Sequence, residues 1–150
     1  MTRINSAIHP KNLTDQHLIA ELRELPRIFT AVNKRIEQGK FFDDIPKEFT
    51  LGEGHVKFFY NKLLFLSSRH LLLRCEYFSR FEKEWQFKIE VRLFPHQYGL
   101  VGLWNSYKST EKEKQLLIDR ISTRINESNQ IPRYYGEKIT KEQAIQILNQ

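Results

Sequence analysis

Cysteine is nearly absent from this chain: Cys75 is the only one in 150 residues. A lone thiol cannot close an internal disulfide, so a reducing compartment is expected. Long apolar runs are missing as well. No stretch approaches the roughly 18 apolar residues of a membrane-spanning helix, and no membrane partner is expected. The first residues, MTRINSAIHPKN, are polar and lack the apolar core of a signal peptide. There is no lysine-rich tail, low-complexity tract or internal repeat. No serine–histidine or cysteine–histidine pair points to acyl transfer. Cys75 follows LLLR in a mostly apolar stretch, which predicts a buried, inert thiol.

What is present is enough apolar matter for a core. Hydrophobic residues make up 40% of the chain and aromatics 13%, which excludes a disordered segment and fits one domain spanning residues 1–150. The formal charge is +6 and the pI about 9.5. That balance favours polyanion partners, nucleic acid foremost, although the positive residues are dispersed.

Thr14 or Asp15 is a suitable N-cap, and Leu18, Leu22, Leu25, Phe29, Val32 and Ile36 then recur at three- and four-residue spacing. The pattern predicts one helix, stopped at Gly39 and kinked where Pro26 removes a backbone donor. FFDDIPKEFTLGEG reads as a loop. A second helix, about 55–81, is predicted from Phe58, Phe59, Leu63, Leu66, Leu71 and Phe78, with HVKFFYNKLLFL apolar nearly all round. Alternation at Phe87, Ile89, Val91 and Leu93 suits a strand, though the same residues could prolong the helix. Thr110 followed by Glu113 is a capping-box pattern opening a helix through Leu116, Leu117, Ile121 and Ile125. A Pro/Gly-punctuated aromatic segment follows, then a short amphipathic stretch at 140–148. The sum is a mainly α, compact single-domain fold.

HLIAELRELPR (17–27) concentrates functional side chains. His17, Glu21 and Glu24 share one helical stripe; Gln16, Arg23 and Arg27 lie on the next. Three readings stay open from these residues. The stripe could ligate a metal, although Arg23 and Arg27 would oppose a cation. The arginines could hold phosphates while a carboxylate does acid–base or electrostatic work on a nearby sugar. Or the face could be solvated Glu–Arg pairs worth a few tenths of a kcal/mol each. LGEGHVKFF sets two glycines before a helix start, a weak anion-site signal that an ordinary tight turn explains as well. At the chain start, Thr2 is small enough to permit removal of Met1. A free α-amine there has a pKa near 7.7–8.0, so a useful fraction is neutral and nucleophilic without burial.

Taken together, MTRIN at the start, DQHLIAELRELPR (15–27), LGEGHVKFFYNKLLFL (51–66) and YYG (134–136) resemble the pyrimidine dimer DNA glycosylases, the phage endonuclease V-like family. The resemblance covers most of the first 66 residues and returns in the 110–125 helix and at YYG; residues 81–107 match poorly. It implies a helical fold whose N-terminal segment lies between helices, against the polar face of the first. It also implies a DNA repair glycosylase with abasic-site lyase activity on cyclobutane pyrimidine dimers in duplex DNA. In that chemistry the Thr2 α-amine attacks C1′ and forms an imine, and β-elimination then cuts the strand. Glu24 matches the family's essential carboxylate. No metal or other cofactor is called for.

The same resemblance matches Arg3, Arg23 and Arg27 to phosphate contacts. Gln16 and His17 match polar positions on that surface. Arg120 and Arg124 match basic positions facing DNA, Arg124 standing where a lysine is usual; Tyr134 and Tyr135 fall in the segment associated with the lesion. The implied partner is double-stranded DNA bearing a lesion, bound by a monomer in the cytoplasm of a bacterial or phage-infected cell, near the nucleoid. Two departures stand out. Ile131, Pro132 and Arg133 occupy places where aromatics are usual, which leaves room for a different damaged or modified base. The chain also runs past YYG, an extension at about 137–150. A non-catalytic DNA-binding module with the same fold is the remaining alternative.

Overall fold

Thr14 does start the first helix, its Oγ1 accepting the His17 N–H. The computed structural model describes residues 3–89 and 102–150. A 3-10 turn, Pro10–Asn12, leads into α1 (Asp15–Glu24) and α2 (Pro26–Glu37). After a long loop come α3 (His55–Phe58) and α4 (Leu63–Phe81); then α5 (Glu111–Glu127), a hairpin of β1 (Arg133–Tyr134) and β2 (Glu137–Lys138), and α6 (Lys141–Leu148). The fold is mainly helical, as expected.

The single helix expected across Pro26 is two. Leu25 keeps helical dihedrals and its N–H still reaches Glu21. Pro26 has no N–H to give, so the ladder restarts with the Ile28 N–H on the Leu25 carbonyl. The predicted stripe is nevertheless intact: Leu18, Leu22, Leu25, Phe29, Val32 and Ile36 are all buried.

The second predicted helix is also divided. α3 stops after one turn, residues 59–62 cross the gap, and α4 begins at Leu63. Leu63 and Leu66 are buried as expected, but beyond them the buried face of α4 is not the expected one. Leu66, Arg69, His70, Leu73, Glu76 and Arg80 point inward, while Leu71 and Phe78 are more than half exposed. Cys75 is exposed, not buried. Hydrophobicity alone mis-set the phase: ion pairs occupy core-facing turns, so apolar residues were displaced to the outside. Of the predicted strand, residues 87–89 form no regular element, and 91 and 93 lie outside the described residues.

α5 opens with the predicted capping box, Thr110 and Glu113 each bonding the other's backbone. It buries Leu117, Ile118, Ile121 and Ile125, with Leu116 partly exposed. A second capping box at Thr140 and Gln143 starts α6, which packs Ala144 and Leu148 against α5. The hairpin turns through Tyr135 and Gly136, both left-handed (φ 52° and 81°), which matches the right-handed twist of a two-residue turn.

The N-terminal segment threads this frame. Ile4, Ile8 and Leu13 are buried. α1 holds the segment through Glu21, whose Oε2 accepts from Asn5 Nδ2 at 2.9 Å. α4 holds it through Arg69, whose Nη1 donates to the Ile8 carbonyl at 2.6 Å. α5 holds it through Arg120, whose Nη2 donates to Asn5 Oδ1 at 2.8 Å. The segment therefore lies between helices, as expected. No helix among the described residues is long and apolar enough to cross a membrane.

Candidate active site

Glu24 ends α1 half-buried, and its Oε2 accepts the Arg3 backbone N–H at 2.7 Å. One residue on, the Ile4 N–H donates to His55 Nε2 at 3.1 Å. Thr2 lies outside the described residues. Glu24 and Arg3 are thus brought together across 21 residues of sequence by one bond.

Glu21 does something different from its neighbour on the stripe. Its carboxylate is buried and holds Arg69 through two bonds, Nε to Oε1 at 2.9 Å and Nη2 to Oε2 at 3.0 Å. With Asn5 as a third donor, Glu21 is spent on structure. It is neither the solvated partner of a nearby arginine nor a free ligand.

A cleft of about 540 Å³ opens between α1 and α5, lined by Arg3, Gln16, His17, Arg124, Gln130 and Pro132 among others. Beneath it, Arg3, Asn5, Glu21 and Arg120 meet at a small inner recess. Three arginines here keep buried donors with no hydrogen-bond partner among the described residues: Arg3 Nε, Arg120 Nε and Arg124 Nη1. Buried donors are normally satisfied. Arg3 and Arg124 line the cleft and Arg120 the recess beneath it, so this side of the molecule carries clustered positive charge. Burial and the neighbouring Arg3 charge pull Arg120 below its ordinary pKa, which an arriving phosphate would relieve.

His17 lines the same cleft. Its Nδ1 lies 2.7 Å from Thr14 Oγ1. Burial, then the charges of Arg3 and Arg120, lower its pKa to about 4. The ring is neutral at physiological pH and leaves the site's positive charge to the arginines. Gln16 spends its whole amide on the segment before the hairpin, donating to the Ile131 carbonyl at 2.8 Å and accepting the Arg133 N–H at 3.0 Å. Arg23 and Arg27 project from α1 and α2 into solvent, on the surface but not in the cleft lining.

The hairpin is anchored to α1 and α4. Asp15 accepts from the Tyr135 and Gly136 N–H groups at 3.2 and 2.8 Å and pairs with Arg80 at 2.9 Å. Arg80 also bonds Glu76 and lies under both tyrosine rings, 4.9 Å from Tyr134 and 4.8 Å from Tyr135. The Tyr135 hydroxyl donates to Glu76, the Tyr134 hydroxyl to the Lys11 carbonyl.

A protein-family model described as pyrimidine dimer DNA glycosylase matches residues 1–88. The chain belongs to that family. Membership makes it a DNA repair glycosylase and DNA its substrate. The match takes in the N-terminal segment, α1 to α4, Glu24 and His55; α5, the hairpin and α6 lie beyond it.

Within this glycosylase four working residues were given no role of their own in the sequence, although Asn5 lies in MTRIN and His55 in LGEGHVKFF. Asn5, His55, Arg69 and Arg80 organise the site from behind. One signal was available for two of them. Along α4, positions 66, 69, 73, 76 and 80 keep helical spacing but mix two leucines with three charged residues. Charges on an otherwise inward stripe predict buried pairs. The glycines of LGEGHVKFF serve the turn. Gly54 is left-handed (φ 96°), and a Cβ there would meet Pro46 Cγ at 3.2 Å, so the bend that delivers His55 requires glycine.

Proposed function

We propose that this glycosylase is also an abasic-site lyase, with the Thr2 α-amine, freed by removal of Met1, as nucleophile and Glu24 as the catalytic carboxylate. The contact that supports this is the 2.7 Å bond from the Arg3 N–H to Glu24. A chain spans at most about 3.6 Å per residue, so an amine on the preceding residue stays near the same carboxylate in any conformation. The amine lone pair attacks C1′, and the base leaves with the glycosidic electron pair. Loss of an amine proton and opening of the sugar ring give the imine. The imine draws electrons from C2′, whose proton is removed as the 3′-phosphate is expelled. Glu24 stabilises the positive charge developing on the sugar and moves protons in these steps.

The substrate is duplex DNA carrying a cyclobutane pyrimidine dimer, bound by a monomer in the cell's DNA-bearing compartment. Arg3, Arg120 and Arg124 receive phosphates in the cleft, and Arg23 and Arg27 extend the contact along the surface. Gln16, with Tyr134 and Tyr135, forms the edge nearest the lesion. Extrusion of a base gives the amine access to C1′. Residues 1–150 act as one unit, with 137–150 bracing α5. Borohydride should trap a covalent protein–DNA adduct on dimer-containing or abasic duplex once Met1 is removed. Absence of the adduct from processed protein refutes the mechanism.

A second reading changes the lesion and keeps the chemistry. Both tyrosine hydroxyls are committed to internal partners, and Ile131–Pro132–Arg133 is poor in aromatics, which favours a target other than the dimer. Release assays across a lesion panel separate the two.

A further inference from the structure

His55 is among the most buried polar side chains of the molecule, 1% exposed, yet it stands apart from the DNA-facing groups. Its ring sits edge-on to Phe49 and Phe59, each 5.4 Å away. A phenylalanine would fill that aromatic slot equally well. What a phenylalanine lacks is two polar contacts. Nδ1 lies 2.7 Å from the Thr50 carbonyl, and Nε2 lies 3.1 Å from the Ile4 nitrogen.

These partners fix the ring's state by geometry. A carbonyl only accepts, so Nδ1 carries the hydrogen. A backbone N–H only donates, so Nε2 offers its lone pair. The ring is therefore the neutral Nδ1–H tautomer, bound at both ends. Burial, the largest influence on the ring, favours the same neutral state.

We propose that His55 is a positioning residue for the N-terminal nucleophile: its doubly bonded neutral ring fixes the backbone at Ile4 and so holds Arg3 against Glu24. The Ile4 and Arg3 N–H groups are successive donors on one short strand of chain. One is taken by His55 and the next by Glu24. With two adjacent peptides pinned from two directions, the segment has one orientation relative to the carboxylate. Releasing the Ile4 end leaves one backbone bond, that of Arg3, ahead of the Asn5 side-chain anchor, and misplacement of reacting groups by about 1 Å can cost ~100-fold in rate. The proposal rests on the reading of Thr2 as nucleophile.

Two amide substitutions test it, because glutamine places a carbonyl oxygen where Nε2 stands and asparagine reaches only the Nδ1 position. Full-length protein lacking Met1 is mixed at saturation with a duplex holding one abasic site, and the rate of borohydride-trapped adduct is measured beside the DNA Kd. His55→Gln should stay within about threefold of the parent rate. His55→Asn and His55→Phe should fall about 100-fold with Kd held within threefold. Equal rates for the glutamine and asparagine variants, or a loss confined to Kd, overturns the proposal. Hydrogen exchange at the Ile4 amide gives an independent reading: it should be slow in the parent and His55→Gln and fast in His55→Asn. Equal protection in all three likewise overturns it. If the parent protein with a free Thr2 traps nothing, the nucleophile assignment fails instead, and Ile4 exchange alone decides whether His55 holds the segment.

Discussion

Arg69 and Glu21 close on each other through two parallel bonds of 2.9 and 3.0 Å, both side chains almost wholly out of solvent. The pair sits under the cleft and carries the N-terminal segment on its flanks, Asn5 on the carboxylate and the Ile8 carbonyl on the guanidinium. Removing one partner strands a buried charge, a cost of about 3–5 kcal/mol. Arg69→Met should lower unfolding free energy by that amount in urea titration. Restoring neutrality with Glu21→Gln in the same chain should recover part of the loss. A single-variant loss under 1 kcal/mol would show the pair to be dispensable.

Glu24→Gln keeps an acceptor for the Arg3 N–H but loses the negative charge. Strand cleavage of dimer-containing duplex should fall at least 100-fold, the range for one acid–base group, with DNA affinity unchanged or tighter. Cleavage at the parent rate would remove Glu24 from the chemistry.

Arg124 lines the cleft, its Nη1 without a partner among the described residues. Arg124→Gln should weaken binding to undamaged and damaged duplex alike. It should also reduce the log Kd against log salt slope by about one, the signature of one lost phosphate contact. A change for damaged DNA alone would instead assign Arg124 to the lesion.

His70 is buried on α4, its Nε2 without a partner among the described residues. Burial, then the charge of Arg74, lowers its pKa from 6.5 to about 4. The unfolded chain therefore binds a proton that the folded one refuses. Stability is full above pH 6.5 and falls as pH drops toward 4, by on the order of 3 kcal/mol from His70. His17, also lowered to about 4, acts in the same direction. Thermal melts from pH 7 to 4.5 should show the decline, and His70→Phe should make it shallower. An unchanged slope in that variant would place the decline elsewhere.

Helix positions were readable because periodicity and caps are local properties. Thr14, Thr110 with Glu113, and the stripe from Leu18 to Ile36 stand where spacing put them. Glu24 was separable from Glu21 only through family resemblance, since both share a helical face. What distinguishes them is Arg69, 48 residues from Glu21. Such partners are tertiary facts with no trace in local spacing. The inward charges of α4 misled for the same reason: an arginine reads as a surface residue until its carboxylate is found. Cys75 and Leu71 then fell on the outer face that Glu76 and Arg80 had vacated.

The threading of the N-terminal segment also sets an order of events during synthesis. Residues 4 to 8 are made early, but the groups that enclose them come later: Arg69 just short of halfway along the chain, Arg120 four-fifths of the way. Until α5 arrives, residues 4 and 5 have only part of their enclosure. Afterwards Ile4 is sealed. The last enclosure of the N-terminal segment therefore waits on the docking of α5, so folding of the segment is completed only when nearly the whole chain has been made.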